Sequence, residues 1–548
     1  MMLLKTSLLV SSLILMLLFS GCSSSGSGDD PTAKYQPESN DNPYPDTEDP
    51  WADYTGLRAG FGRAPILELD DDISGYWVAG FSIVRPASGI HDPIYAIATI
   101  IDDGKTRIGI VALDAFSLKL EDTDAIRNEV TTKYGIDHLI VHSLHNHEVP
   151  DNNGLWSFLN IMNPDSNEKF IEELHEAALE AVRIAANNIE PAQMYIGQVM
   201  DKDVLKLDDP TKINLKDMKT LTEPNDLGLS DLRPPFVTDN GLRFAVFKSP
   251  KDGHVIGTIV NWSNHIETIW KWNQDISADF VGYMRDSLNI KLGGETMFIT
   301  GNTGSVSTYV LDPVVFYDTE SGRYILKDVS SRVVYKGEEF FGQKYKYGEF
   351  NEENFKKAEA HGYAVADIIS GAVESGGMEL SPDPVVSYYT LRDRIQIQNT
   401  KFILAFTTGI LEREGSFKNG KMTTETELNL ARIGDLWLLT IPGELYPEIA
   451  AGGVCVPSEG DEYQNLTETD LKMIKAPIRS MMHGKVNMMM NLGGDHLGYF
   501  IPKSQWDEKE PFTFGNLKAP YGEENSIGPD AGTTIYSWAV KLLEQAQE

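Results

Sequence analysis

The segment Leu139-Ile140-Val141-His142-Ser143-Leu144-His145-Asn146-His147 is an apolar run that ends among histidines. Read as a strand, it sends alternate residues to one face, so His145 and His147 project together and His142 takes the other face. Two imidazoles at that spacing are a common start to a zinc site. The pair is equally compatible with a structural or incidental origin, and His142 reads as a packed histidine. His265 ends a second apolar run, Val260-Asn261-Trp262-Ser263-Asn264-His265. Glu444 follows Thr440-Ile441-Pro442-Gly443, a buried strand and a turn, where reactive groups of sheet enzymes commonly sit. Taken singly, it could as well be a solvated turn residue. Phe298-Ile299-Thr300 leads into the small polar loop Gly301-Asn302-Thr303-Gly304-Ser305-Val306-Ser307. Such a loop can offer N–H groups or a hydroxyl to an oxyanion, or be a plain turn.

These residues need a frame, and the chain supplies one. Short apolar runs mark buried strands at Ile94 to Ile101, Ile108 to Leu113, His138 to Val141, Phe244 to Phe247, Val255 to Val260 and Leu436 to Ile441. Helical patterns lie between them at Thr123 to Tyr134, Asn167 to Asn188, Phe280 to Leu288 and Glu352 to Val373. Strands interleaved with helices predict an α/β, mixed α+β architecture, with central β-sheets flanked by helices. No internal repeat and no second linker breaks the chain, so the expectation is one large domain over 56–548.

Composition narrows the partners. Of 548 residues, 81 are acidic and 47 basic, a net charge of −34. That balance excludes nucleic acid, which needs a basic face, and adhesion to anionic lipid through a polybasic patch. No protein partner is predicted. Residues 1–21 read as a signal segment: Lys5, then the apolar run Leu8 to Phe19, then Ser20-Gly21-Cys22. The pattern resembles a bacterial lipoprotein signal, with Cys22 as the lipidated first residue; an ordinary cleaved signal is the alternative. Residues 22–55, rich in Ser, Gly, Asp and Pro, read as a flexible acidic tether. The expected location is the cell envelope of a bacterium, with membrane contact through Cys22 and the outer membrane preferred. Cys455 is then the other cysteine and reads as a small buried residue.

Taken together, these segments resemble the neutral/alkaline ceramidase family, whose members are zinc-dependent amidases. The resemblance rests on Gly60-Phe61-Gly62-Arg63-Ala64-Pro65-Ile66, Gly89-Ile90-His91-Asp92-Pro93, His145-Asn146-His147 and Asn261-Trp262 with His265. It continues through Asn302-Thr303-Gly304-Ser305-Val306-Ser307, Pro442-Gly443-Glu444, Leu497-Gly498-Tyr499 and Tyr521-Gly522-Glu523 with Gly528-Pro529. The matches run in family order over about residues 57 to 545. The resemblance implies a neutral-ceramidase-like fold and Zn2+ held by His145, His265, Glu444 and Tyr499. It also implies His147 as a proton-transfer or hydrogen-bonding residue, Ser307 at the family's serine position with Ser305 as a neighbouring competitor, and Arg233 near the substrate. The substrate would be a small-molecule or lipid-like amide, possible members including ceramide-type N-acyl compounds.

Two stretches depart from the family pattern. Glu148-Val149-Pro150-Asp151-Asn152 stands where small residues and glycines are usual, and Thr308-Tyr309 replaces Pro-Asn. Both would flank the substrate, so the resemblance implies retained metal chemistry with a changed specificity. The alternatives are a metal-dependent esterase or other hydrolase, and a non-catalytic ligand-binding surface lipoprotein. Asp114 could support the metal site or cap a strand end, and Met481, Met482 and Met488 to Met490 read as packing residues. His483 and His496 read as satisfied surface or core histidines.

Overall fold

In the computed structural model of the chain, the described residues are 51, 54–81, 84–157, 166–200, 229–231, 237–239, 241–308, 314–318, 323–327, 351–382, 384–408, 413–454, 466–510, 512 and 519–547. Cys22, Arg233 and Cys455 lie outside them, as do the expected signal segment and nearly all of the expected tether. Residues Glu48–Glu548 cluster as one unit. Its architecture is mixed α/β, organised around three larger sheets.

The first sheet has the order His138–Ser143, Arg107–Leu113, Ile94–Asp102, Arg58–Leu67, Glu190–Pro191. The second runs Glu295–Thr300, Val255–Trp262, Gly241–Lys248, Gln193–Met200, Met378–Leu380. The third runs Val386–Ile397, Lys421–Ile433, Leu436–Ile441, Val486–Asn491, with Gly415–Lys418 also pairing Lys421–Ile433. Most neighbours are antiparallel, but each sheet ends in one parallel pair. His138–Ser143 lies parallel to Arg107–Leu113, Glu295–Thr300 to Val255–Trp262, and Val486–Asn491 to Leu436–Ile441.

Alternation along these strands sorts side chains between cores. In the first sheet, Phe61 faces the second sheet and meets Phe247 with ring centroids 5.6 Å apart. Its neighbours Gly60 and Gly62 face the helix Ser166–Asn187, where an added Cβ would lie 2.2 Å and 2.3 Å from the carbonyls of Ala185 and Ala181. The Gly-Phe-Gly part of the opening motif is therefore a packing device, set by backbone approach rather than chemistry. In the third sheet, Met488 and Met490 join the core shared with the first two sheets, while Met489 joins the core beneath the helix Ala531–Gln545. That sheet is covered on both faces, which is why Leu436–Ile441 and Val486–Asn491 read as near-continuous apolar runs. The methionines pack as the sequence indicated.

Predicted strands and helices all occur, with ends moved by a few residues, as in Leu120–Tyr134 and Asp279–Leu292. The long antiparallel pair Val386–Ile397 and Lys421–Ile433 was not anticipated. Its residues Tyr388-Tyr389-Thr390-Leu391-Arg392-Asp393-Arg394 mix charges with apolar groups, so no apolar run announces the strand. Among the described residues, no helix is long and apolar enough to cross a membrane.

Candidate metal centre

Each parallel pair delivers functional side chains from the carboxyl ends of its strands, the place where sheet proteins commonly build sites. His145 follows His138–Ser143, His265 follows Val255–Trp262 and Glu444 follows Leu436–Ile441. The parallel partners contribute the loop after Glu295–Thr300 and, beyond Val486–Asn491, the residues leading to Tyr499. A short parallel pairing places Tyr499 opposite Glu444. Gly498 precedes it at φ +77°, and an added Cβ there would lie 2.0 Å from the Asn525 carbonyl. Only glycine fits that turn.

The histidine pair converges, but not by strand alternation. The strand stops at Ser143, and His145 adopts the left-handed conformation at φ +66°. The backbone N–H of His145 donates to Ala115 and that of His147 to Ile266, each through a loop contact. This kink brings the His145 and His147 Nε2 atoms to 3.3 Å. A non-glycine residue held in this region is strained, and such strain concentrates at functional sites.

Four further distances define the centre. His265 Nε2 lies 2.9 Å and His145 Nε2 3.4 Å from Glu444 Oε2. His496 Nε2 lies 3.6 Å from Glu444 Oε1, and His147 Nδ1 lies 3.7 Å from Glu267 Oε2. The donor atoms of His145, His147 and His265 fall within 4.8 Å of one another, as do those of His145, Glu444 and His496. His145, His147, His265 and Glu444 are all buried.

The opposite edges of the rings are anchored. His145 Nδ1 lies 3.0 Å from the Phe116 carbonyl, and His265 Nδ1 hydrogen-bonds the Val306 carbonyl. An Nδ1–H held by a carbonyl leaves Nε2 as a lone pair facing the centre, the usual arrangement behind a metal-bound imidazole. Ligands at about 2.0–2.2 Å from a tetrahedral ion stand roughly 3.4 Å apart, close to the spacings found. The donor set therefore fits a zinc-type cation of nitrogen and oxygen preference.

Electrostatics favour the neutral imidazole at His145 and His147 and the charged one at His265. Burial disfavours the imidazolium of His145 and lowers its pKa against the pull of Glu444. Burial, reinforced by His145 and His265, holds His147 well below its ordinary value. Burial acts the same way on His265, but Glu267 and Glu444 outweigh it and raise that ring to about 9. Burial alone would raise Glu444, yet His145 and the other imidazoles facing it hold it well below the carboxylate range. The phenol of Tyr499 is pushed well above 10 by burial and by Glu444.

The centre closes one end of a cavity of about 540 Å³. His145, His147, Glu444, His496 and Tyr499 form its polar end, and Phe116, Leu118, Leu155, Trp156, Phe402 and Phe406 supply apolar wall. The loop Gly301–Ser305 lies alongside: the Gly304 N–H donates to the Leu445 carbonyl, and Ser305 stands at φ +64° with its hydroxyl buried. Ser307 sits in the strand Val306–Thr308, opposite Ser230, and its side chain lies outside the described part.

Several sequence expectations change at this point. Asp114 does not support the centre, because both its oxygens bind Arg285, at 3.0 Å and 2.6 Å, inside the core. Glu444 is no solvated turn residue; it is 2% exposed. His142 is packed, as expected, and fully buried. His496 was read as a satisfied histidine and instead faces Glu444. Glu267 was not singled out, although His265-Ile266-Glu267 repeats the one-residue spacing of the histidine pair. Glu148 does not flank the substrate end: it is buried in an ion pair with Arg85 at 2.8 Å.

No protein-family model matches the chain. Solved structures share its fold, two of them as follows. One is described as the crystal structure of neutral ceramidase from Pseudomonas aeruginosa, at 14% identity, 90% coverage of this chain, 75% of that chain and TM-score 0.57. The other is described as a ceramidase complexed with C2, at 14% identity, the same coverages and TM-score 0.56. At that identity the likeness is one of architecture, and the chain has a neutral-ceramidase-like fold.

Proposed function

We propose that the protein is a zinc-dependent hydrolase that cleaves the amide bond of an N-acylated, lipid-like substrate. The observation that carries the reading is the convergence of buried imidazole Nε2 atoms and the Glu444 carboxylate at the polar end of an apolar-walled cavity. That this occurs in a fold shared with proteins described as ceramidases supports an amide as the bond attacked.

His145, His265 and Glu444 would hold the ion, and the family resemblance adds Tyr499, which pairs opposite Glu444. When bound, zinc supplies the Lewis acidity that activates water at neutral pH and polarises a scissile carbonyl. The Nδ1 atoms of His145 and His265 are engaged by backbone carbonyls, so each Nε2 faces the centre, and the proton that Glu267 and Glu444 favour on His265 would be displaced when a cation binds. His147 stands beside the set with Glu267 facing its Nδ1, so a proton taken at Nε2 is stabilised from behind. Hydrolysis adds water across the C–N bond; the acyl carbon gains the hydroxyl, and the departing nitrogen receives the proton that His147 has carried. Trp156, Phe116 and Phe402 exclude water around the acyl chain. Ser307 and Arg233 belong to this proposal as substrate contacts, and Cys22 as the lipid anchor to a bacterial envelope.

The test uses the purified full chain. We expect about one equivalent of zinc per chain, lost in His265→Ala and Glu444→Gln, and hydrolysis of an N-acyl amine that chelation abolishes. Zinc far below one equivalent, unchanged by either substitution, removes the proposal. Faster cleavage of the matching ester than of the amide reassigns the protein as an esterase. Binding without cleavage of either makes it a ligand-binding protein.

A further inference from the structure

We infer that His496 supplies a ligand atom, its Nε2, to the metal centre, a position that the family resemblance leaves to Tyr499. The inference rests on the metal-centre reading above and concerns how this chain completes its donor set.

The first argument is placement. Leu492–Gly498 is stitched to the two elements that carry His145 and Glu444. Gly494 donates its N–H to the Val141 carbonyl at 2.8 Å, and Gly493 bridges to His142. At the other side, Gly493 donates to Ile441 at 3.2 Å and Leu497 to Pro442 at 2.9 Å, while Glu444 donates back to Gly498 at 2.9 Å. The loop cannot drift relative to either ligand without breaking these bonds. A ligand site requires that kind of support.

The second argument is the anchor immediately before the ring. Asp495 is buried, binds the Arg413 guanidinium through both oxygens and accepts the Thr426 hydroxyl at 2.6 Å. One of its oxygens also receives the His496 N–H at 2.8 Å. The ring then packs edge-on to Phe116, with centroids 6.1 Å apart, and 5.4 Å from the ring of His145. Phe116 therefore fixes both imidazoles with one side chain, and its carbonyl holds the His145 Nδ1.

The third argument is the atom itself. His496 Nε2 is buried and has no hydrogen-bond partner among the described residues. It points at Glu444 Oε1 from 3.6 Å, while Glu444 Oε2 serves His145 and His265. A buried polar atom without a partner is uncommon and calls for an occupant. The separation of 3.6 Å is too long for a hydrogen bond and close to the roughly 3.4 Å between neighbouring ligands of a tetrahedral ion. A histidine serving only to steady Glu444 would sit at hydrogen-bond distance.

Cobalt substitution separates the candidates, because the visible absorption of Co2+ reports its ligand set without any turnover. The full chain is stripped with a chelator and titrated with Co2+ and, separately, Zn2+, in wild type, His496→Gln, His496→Asn, Tyr499→Phe and His145→Ala. We expect both His496 variants to change the cobalt bands and to weaken zinc by more than the ~10–100-fold typical of an outer contact. Tyr499→Phe should leave the cobalt bands closer to wild type than either His496 variant does. Unchanged bands in both His496 variants, with His145→Ala altered, overturn the inference and leave the metal-centre reading standing. Unchanged metal binding in His145→Ala as well defeats that reading itself. Circular dichroism of each variant confirms that a loss of metal is not a loss of fold.

Discussion

The backbone N–H of Thr300 donates to Nε2 of His142 over 3.1 Å. This contact ties the strand leading to His145 to the strand leading into the Gly301–Ser305 loop. It also fixes the ring's state. With Nε2 accepting, the remaining proton sits on Nδ1, which faces the Leu492 carbonyl at 3.5 Å. A charged ring would have to break the Thr300 bond, and burial pushes His142 down to about 3.

Acid sensitivity follows from that contact. In the unfolded chain His142 titrates near 6.5, so between 6.5 and about 3 the unfolded state binds the extra proton. Stability is therefore complete above that window and lost as pH falls through it, by on the order of 5 kcal/mol for this group alone. His142→Gln can accept from Thr300 and donate to Leu492 without titrating. Urea unfolding across the window should show a flatter acid limb in the variant. An identical acid limb in both proteins would place the sensitivity elsewhere.

The buried pair Arg85–Glu148 gives a second expectation. Arg85 also donates to the carbonyls of Ala79, Asn273 and His147, so it clamps the backbone from which the His147 ring projects. Arg85→Met should cost about 3–5 kcal/mol, the usual cost of stranding one member of a buried pair. Burial pushes Glu148 up to about 8 even against the pull of Arg85, and losing the guanidinium raises it further, so the carboxyl takes up a proton more readily in the variant. The cost should then be smaller at about pH 6 than at about pH 9. Arg85→Met with Glu148→Leu should recover part of the loss but not all, because the three carbonyls stay unpaired. Denaturant midpoints at the two pH values check both statements, and a pH-independent loss would count against them.

Asp239 is the hub of a third network. It accepts from Arg243 at 3.0 Å, from Arg479, from the Ser263 hydroxyl at 2.8 Å and from the Asn302 amide at 3.0 Å. Burial opposes its charge, but Arg479 and Arg243 hold the carboxyl far below the usual range. Asp239→Ala strands two arginines and should cost about 3 kcal/mol or more. Ser263→Ala removes a single hydroxyl and should cost about 1 kcal/mol. Thermal denaturation ranks the two; equal losses would mean that the arginines, not the loop, are incidental to this hub.

What was legible in the sequence divides along physical lines. Apolar runs announce strands buried on both faces, so Leu436–Ile441 and Val255–Trp262 were found, and with them His265 and Glu444 at their ends. Val386–Ile397 escaped because charged residues interrupt it, Arg392 among them, which is bound to Asp124 and Glu425. The site residues found were those at strand ends or inside recognisable motifs. His496 was missed because a lone histidine carries no spacing signal. Its role depends on the contacts of neighbouring Gly494 and Leu497 with Val141 and Pro442, both far off in sequence. The Arg85–Glu148 pair was invisible for the same reason: no local pattern links two residues whose only relation is tertiary.

Chain-length selection gives the last expectation. The apolar end of the cavity includes Trp156, whose indole N–H is tied to the Phe81 carbonyl, and Phe402 on the helix Thr400–Thr408. That helix has no buried residue, and Leu404 on it is 41% exposed. Phe402 is thus a wall that the fold holds from one side only, whereas Trp156 is pinned by its hydrogen bond. If an acyl chain lies along this wall, removing either ring withdraws apolar contact worth about 1.5 kcal/mol or more, roughly a tenfold rise in KM. Short acyl groups cover less of the wall and should be affected less. A series of N-acyl amines of increasing chain length, assayed with Trp156→Ala and Phe402→Ala, should show KM rising most for the long members. A uniform rise at every length would mean that the rings support the metal end rather than the chain. An unchanged series would move the acyl site out of this cavity.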